Sequence, residues 1–330
     1  MDSDSSLADV ATGAQGGVAI DPEGARALTS MDRGTVLVEW RLRPTVEPTR
    51  VVRISNGRPM RGPFGAVAGA AVAMVGDTSV CMREWRDIER AWELPDELVP
   101  RRRYLQTAAW SPDGRLLAIA KGEEMVVVDV GARVVVGDVN DLEDCALGDW
   151  SVRPAFSPDG RLLAVGNTMQ GFWWQSMLEV SDGLRHRYER EELPDTGISD
   201  LVSAVAFSPD GRRFAVWVRP DHGHTGPNGY RGMAVSSWAE TGEPFWHSHI
   251  DDEAAGVHGE SYSAPLCFSS DGVYLAVGLD CGVLWLDAET GVALRMDATE
   301  GEVTALACAP HTGLVAATTR GLRCLESPVR

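Results

Sequence analysis

A single lysine, Lys121, stands among the 30 cationic residues of this 330-residue chain; 48 acids oppose them, for a formal charge of −18. So large a carboxylate surplus repels phosphate backbones and attracts cationic groups, which argues against general nucleic-acid binding and for a basic partner. The arginine-for-lysine skew reads as coding composition, and the one basic run, "RRRY" at 101–104, as a solvated surface patch. Long apolar runs are missing as well. The longest, "GAVAGAAVAMVG", has twelve residues, short of the roughly 20 that cross a bilayer. The opening "MDSDSSLADV" is acidic where a secretion signal is basic, so the expectation is a cytoplasmic chain without membrane association. The six cysteines include no CxxC pair. There is no G-x-S-x-G elbow, no paired-carboxylate motif and no phosphate-cradling glycine loop; "GAVAG" is followed by a strand pattern rather than a helix. No nucleophile with its base emerges, and the expectation is a protein that is not an enzyme.

What the chain does contain is repetition. "AWSPDGRLLAIA", "AFSPDGRLLAVG", "AFSPDGRRFAV" and "CFSSDGVYLAVG" share one phrase, with turn glycines at Gly114, Gly160, Gly211 and Gly272. Ser-Pro-Asp-Gly is a tight reversal: proline presets φ, aspartate bonds nearby backbone, and glycine accepts positive φ. The short apolar runs on both sides read as strands, so each phrase is a β-hairpin. Weaker copies lie at Gly24, Gly69 and Gly313, and the seven anchors step by 45, 45, 46, 51, 61 and 41 residues. After each hairpin comes a third strand pattern ("TVLVEWR", "EEMVVVDV", "GVLWLDA") and often a fourth. Four short strands per roughly 40 to 45 residues describe a propeller blade, which cannot bury both faces alone and must stack on its neighbours. The expected fold is all-β: a single seven-bladed β-propeller over 1–330. The seventh repeat ends after three strands, and "SLADVAT" within 1–13 is expected to supply the fourth and close the ring.

The passage "SMDRGTVLVEW", with Glu39-Trp40 and Glu84-Trp85 where a Trp-Asp pair would fall and Val128-Asp129 and Leu286-Asp287 keeping the Asp, resembles the WD-repeat family. The resemblance implies a propeller that mediates protein–protein or protein–peptide interaction. No Gly-His pair precedes any first strand, so the family's His-to-Asp network is not carried over.

Cys267 and Cys308 are assigned matching inner-strand positions where other repeats place Phe or Trp, and all six cysteines read as small core hydrophobes of a reducing compartment. Surplus length collects on one face of the ring, in "NTMQGFWW", "RPDHGHTGPNGYRG", "DVNDLEDCALGDW", "LPDTGISD" and "IDDEAAGVHGESYS". Loops on a rigid scaffold are the usual carriers of binding residues. Trp173, Trp174, Trp246, Tyr230, Asp141, Asp144, Asp251 and Asp252 are therefore the candidate contacts for a basic partner of a monomeric scaffold. The other tryptophans, Trp40, Trp85, Trp110 and Trp285 among them, read as packing between blades. No cofactor is expected. The alternative reading is an enzyme or ligand sensor that places a divalent metal or a small molecule at His222, His224, His247, His249 and His258, since imidazoles and nearby carboxylates suit a zinc-class ion.

Overall fold

A computed structural model describes residues 16–54, 59–65, 71–100, 106–121, 124–139, 153–169, 172–180, 183–190, 200–220, 232–239, 241, 244–251, 265–309 and 313–328. They form seven antiparallel meanders. Blade one holds β1 (Gly16–Ile20), β2 (Arg26–Met31), β3 (Val36–Arg41) and β4 (Glu47–Arg53). Blade two holds β5 (Met60–Gly65), β6 (Ala71–Gly76), β7 (Val80–Glu84) and β8 (Asp87–Glu93). Blade three holds β9 (Gln106–Trp110), β10 (Leu116–Lys121), β11 (Glu124–Asp129) and β12 (Val134–Asp138). Blade four holds β13 (Arg153–Phe156), β14 (Leu162–Met169), β15 (Phe172–Val180) and β16 (Leu184–Arg190). Blade five holds β17 (Asp200–Phe207), β18 (Arg213–Pro220), β19 (Gly232–Ala239) and β20 (Pro244–Asp251). Blade six holds β21 (Leu266–Phe268), β22 (Tyr274–Leu279), β23 (Gly282–Asp287) and β24 (Ala293–Ala298). Blade seven has only β25 (Val303–Ala309), β26 (Gly313–Thr318) and β27 (Gly321–Leu325) among the described residues. The expected closing strand within 1–13 lies outside them.

In blades three to six the first hairpin turn is made by the side chains the repeat spells out. In blade three the Ser111 hydroxyl donates to Asp113 Oδ1 at 2.6 Å, the Leu116 N–H donates to Ser111 Oγ at 2.8 Å, and the Arg115 N–H donates to Asp113 Oδ1 at 3.0 Å. The same three bonds recur around Ser157, Ser208 and Ser269. Gly114 takes φ 70° as its N–H closes on the Ser111 carbonyl, the left-handed conformation that leaves glycine unstrained. Blade one writes the motif differently: Asp21 replaces the serine, and its Oδ1 accepts from both the Ala25 and Arg26 N–H groups.

Second and third strands are buried on both faces, and their alternate side chains pack to opposite neighbours. Leu275 and Val277 join the core between blades five and six, whereas Tyr274 and Ala276 join that between six and seven. The ring closes by packing: Val38 and Trp40 of blade one share a core with Val315, Ala317 and Leu322 of blade seven. In blades one to six the pairing of third and fourth strands slips once near the outer hairpin, as between Trp285 and Leu286. Such irregularities raise the local twist, which a radial stack of sheets requires.

Candidate interaction face

Strand alternation sorts the connections onto two faces. First-to-second and third-to-fourth turns open on one, the turn face; second-to-third loops and blade-to-blade connectors open on the other, the loop face. The turn face is a stack of like parts. A Cβ added at Gly160, Gly211 or Gly272 would sit 3.6, 3.4 or 3.3 Å from Cδ of Pro112, Pro158 or Pro209, the proline of the preceding blade's turn. Side chains of one blade bind backbone carbonyls of the next: Arg26 donates to Trp85 O at 3.2 Å, Arg213 to Ala288 O at 2.7 Å, and Trp246 Nε1 to the same Ala288 O at 3.1 Å.

Charge divides the faces. In the described turns of the turn face, acids Asp21, Glu23, Asp113, Asp159, Asp210, Asp271 and Glu289 stand against arginines 43, 86, 115, 133, 161 and 212, close to balance. Several of these acids are consumed locally. Hydrogen bonds from the Ser111 hydroxyl and the Arg115 N–H hold the Asp113 carboxyl below its ordinary range, and Asp21 pairs with Arg26 at 3.1 Å. On the loop face the described connections carry Asp32, Asp77, Asp96, Glu97, Asp280, Glu300 and Glu302 against Arg33 and Arg320. That face is acidic.

Beneath it lies the chain's only lysine. Lys121, the last residue of β10, is fully buried, and its Nζ donates to the Asp77 carbonyl of blade two at 3.2 Å. Glu124 faces it across the β10–β11 register. Burial pushes the Lys121 ammonium down to about 8, against the pull of Asp77, Glu124 and Asp96. The sequence signal was there, one lysine among many arginines at a strand end, but a count does not reveal burial.

The expected loop "NTMQGFWW" is instead mostly strand. Asn167 pairs with Trp174, Thr168 with Trp173 and Met169 with Phe172, which makes β14 eight and β15 nine residues long. All four strands of blade five have eight residues, while those of blade three have five or six. Extra length in blades four and five thus becomes hairpin running past the common height of the ring, and Trp173 and Trp174 occupy register positions on it. Trp246 is placed otherwise. It is 9% exposed, with its indole N–H on Ala288 O and its ring against Gly291, so it is spent on the seam between blades five and six. His247 and His249 alternate along β20 opposite Ser236 and Ala234, and His247 meets Trp238 edge-on with ring centroids 5.6 Å apart. Asp251 ends β20, paired with Gly232. Asp141, Asp144, His222, His224, Tyr230, Asp252 and His258 lie outside the described residues. Among those described, no three His, Cys, Asp or Glu side chains cluster as a metal site.

Solved structures include a close match in shape. The chain is similar to the Cps50 (Swd1) β-propeller domain of Myceliophteria thermophila, with a TM-score of 0.67 at 14% identity over 95% of this chain and 98% of that one. The fold is a seven-bladed β-propeller. No family model and no curated protein matches the sequence, so the likeness is one of architecture. Nor does any described helix of the propeller have the length and apolarity to cross a membrane.

Sequence reasoning also misplaced one cysteine. In blades three to five the first strand ends Ala109-Trp110, Ala155-Phe156 and Ala206-Phe207 before the turn serine, and in blade six it ends Cys267-Phe268. Cys267 therefore stands where its counterparts are alanine, one residue before the aromatic, and does not match Cys308. In a strand that offset reverses the direction of the side chain.

Proposed function

We propose that this propeller is a non-enzymatic scaffold, monomeric and cytoplasmic, that docks a basic protein or peptide segment on its loop face over blades four to six. The observation that carries the reading is the charge division: acids outnumber arginines on the loop face and are nearly matched on the turn face. Opposite charge steers encounter and fixes orientation, while a few aromatic anchors supply most of the affinity. Trp173 and Trp174, on the long hairpin of blade four, are the anchors in this reading. Asp141, Asp144, Tyr230, Asp251 and Asp252 form its polar rim; Trp246, held in a seam, has no part. The rigid ring orders the site before binding, which lowers the entropic cost of association.

The test is capture from native lysate followed by cross-linking and mass spectrometry. The proposal expects cross-links on the loop-face segments of blades four to six, loss of the captured partners in a Trp173→Ala, Trp174→Ala double variant, and affinity that falls steeply with salt. Cross-links confined to the turn face, or an unchanged partner set in the double variant, would overturn it.

A further inference from the structure

The displaced register of Cys267 brings two thiols together across a seam. Phe268 belongs to the core between blades five and six, so the preceding residue, Cys267, turns the other way and packs into the core between six and seven. Cys308, on β25 of blade seven, packs into that same core from the opposite side. Within that shared core the two thiols are near enough to shift each other's ionisation. Cys267 Sγ also donates to Phe268 O at 3.3 Å and Cys308 Sγ lies 3.5 Å from Gly313 O. Ser270 and Asp271, in the turn of blade six, lie beside the Cys308 sulfur. Both cysteines are partly exposed, whereas Cys81 is buried.

We propose that Cys308 and Cys267 form a redox-active dithiol that hydroperoxides oxidise to a disulfide between blades six and seven, and that thiol reductants restore. The Cys308 thiolate attacks one oxygen of the peroxide, the O–O bond breaks, and Cys308 becomes a sulfenic acid as hydroxide leaves. The Cys267 thiol then attacks that sulfur, forms the S–S bond and releases water. Two thiols and one hydrogen peroxide give one disulfide and two waters (an organic hydroperoxide gives one water and its alcohol), with sulfur oxidised and oxygen reduced. Two equivalents of a monothiol, or one of a dithiol, reverse it by exchange.

The surroundings assign the two roles. The neighbouring Cys267 thiol, aided by Ser270 and opposed by burial, holds the Cys308 thiol below its ordinary range. That same contact with Cys308, with burial, pushes Cys267 well above its own. A thiolate is the nucleophile and a neighbouring neutral thiol resolves it. Burial instead raises Cys324, in blade seven's third strand, which suits an inert thiol.

The experiment uses the full chain, reduced, titrated with hydrogen peroxide, quenched by alkylation and mapped by non-reducing peptide mass spectrometry. The expected result is loss of two hydrogens in mass, one linked pair joining the Cys267 and Cys308 peptides, and recovery with dithiothreitol. In Cys267→Ser oxidation stops at the sulfenic acid, and dimedone labels Cys308; in Cys308→Ser dimedone labelling of Cys267 falls at least about tenfold below that level. A folded wild-type protein that consumes peroxide without that linked pair, or links other cysteines instead, overturns the proposal. So does alkylation of Cys308 no faster than of Cys324.

Discussion

The two faces of the ring are built to different specifications. The turn face repeats one device: in blades three to six a serine hydroxyl, an aspartate and a left-handed glycine close the first hairpin, and the turn's proline packs beside the next blade's glycine as far as blade six. Its charges are matched and several are locked to backbone amides. The loop face repeats nothing. Its connections vary in length, its acids exceed its arginines, and its blades differ in how far their hairpins extend. A solenoid-like ring needs uniform joints on one side to fix curvature and leaves the other free to diversify. The difference teaches where sequence change should cost stability and where it should cost binding.

The largest effect should come from a turn-face glycine. Gly291 is buried at φ 72° against the indole of Trp246, and its N–H donates to the Asp287 carbonyl at 2.8 Å. Gly291→Ala imposes the left-handed conformation on a residue with a Cβ and drives that carbon into the ring, a cost of roughly 4 kcal/mol from strain and overpacking together. Chemical denaturation should show it. A loss under about 1 kcal/mol would mean that the seam yields and that the turn face is less rigid than its geometry implies.

Lys121 tests the opposite claim, that the loop face is tuned for something other than stability. Its ammonium is held down to about 8 by burial, against an ordinary lysine near 10.4. Between those values the unfolded chain binds a proton that the folded chain does not, so the lysine's contribution to stability rises with pH across that window. At neutral pH the penalty is fully present. Lys121→Met, which keeps the volume and removes the charge, should therefore raise unfolding free energy by roughly 3 kcal/mol at pH 7. The gap between variant and wild type should close as pH climbs from about 8 towards 10.5. A variant less stable than wild type at pH 7 would show that the Asp77 carbonyl bond outweighs burial.

Neutralising loop-face acids should move binding and leave folding alone. The set Asp96→Asn, Glu97→Gln, Asp280→Asn, Glu300→Gln removes four of the seven described acids from that face. Association of a basic, tryptophan-containing peptide at low salt should slow about tenfold, the scale of electrostatic steering, with thermal stability unchanged. Neutralising Glu23 and Glu289 on the turn face is the matched control and should leave the rate alone. Equal slowing by both sets would erase the distinction between faces.

Much of this was legible because turn chemistry is local. Ser157-Pro158-Asp159-Gly160 specifies its reversal within four residues, and its recurrence specified blade number. The parts that were not legible depend on what lies across a seam. Asn167 and Gly171 look like turn residues, yet cross-strand pairing from Asn167 to Trp174 makes strand of most of that segment. Trp246 resembles a loop-side aromatic until Ala288 O and Gly291 surround it. For Cys267 a one-residue offset reversed which blade it faces, and the pairing with Cys308 follows only from three dimensions.

The smallest effect should be the cleanest check on the turn device itself. Burial opposes the ionised Asp159 carboxyl, but the Ser157 hydroxyl and the Arg161 N–H and guanidinium outweigh it and hold the group below its ordinary range. A carboxyl lowered in the folded state stabilises above its unfolded value, near 3.9, and that contribution is lost as pH falls through the folded value. Asp159→Asn retains an oxygen to accept from the Ser157 hydroxyl and the Arg161 N–H but gives up the charge, so at neutral pH it should cost well under about 1 kcal/mol. As pH falls from about 4 through the lowered folded value the wild type loses the same charge by protonation, and below it the two unfolding curves should converge. A gap that persists unchanged into acid would mean that the asparagine distorts the turn rather than merely discharging it, and the turn face would then owe its uniformity to shape more than to ionised aspartate.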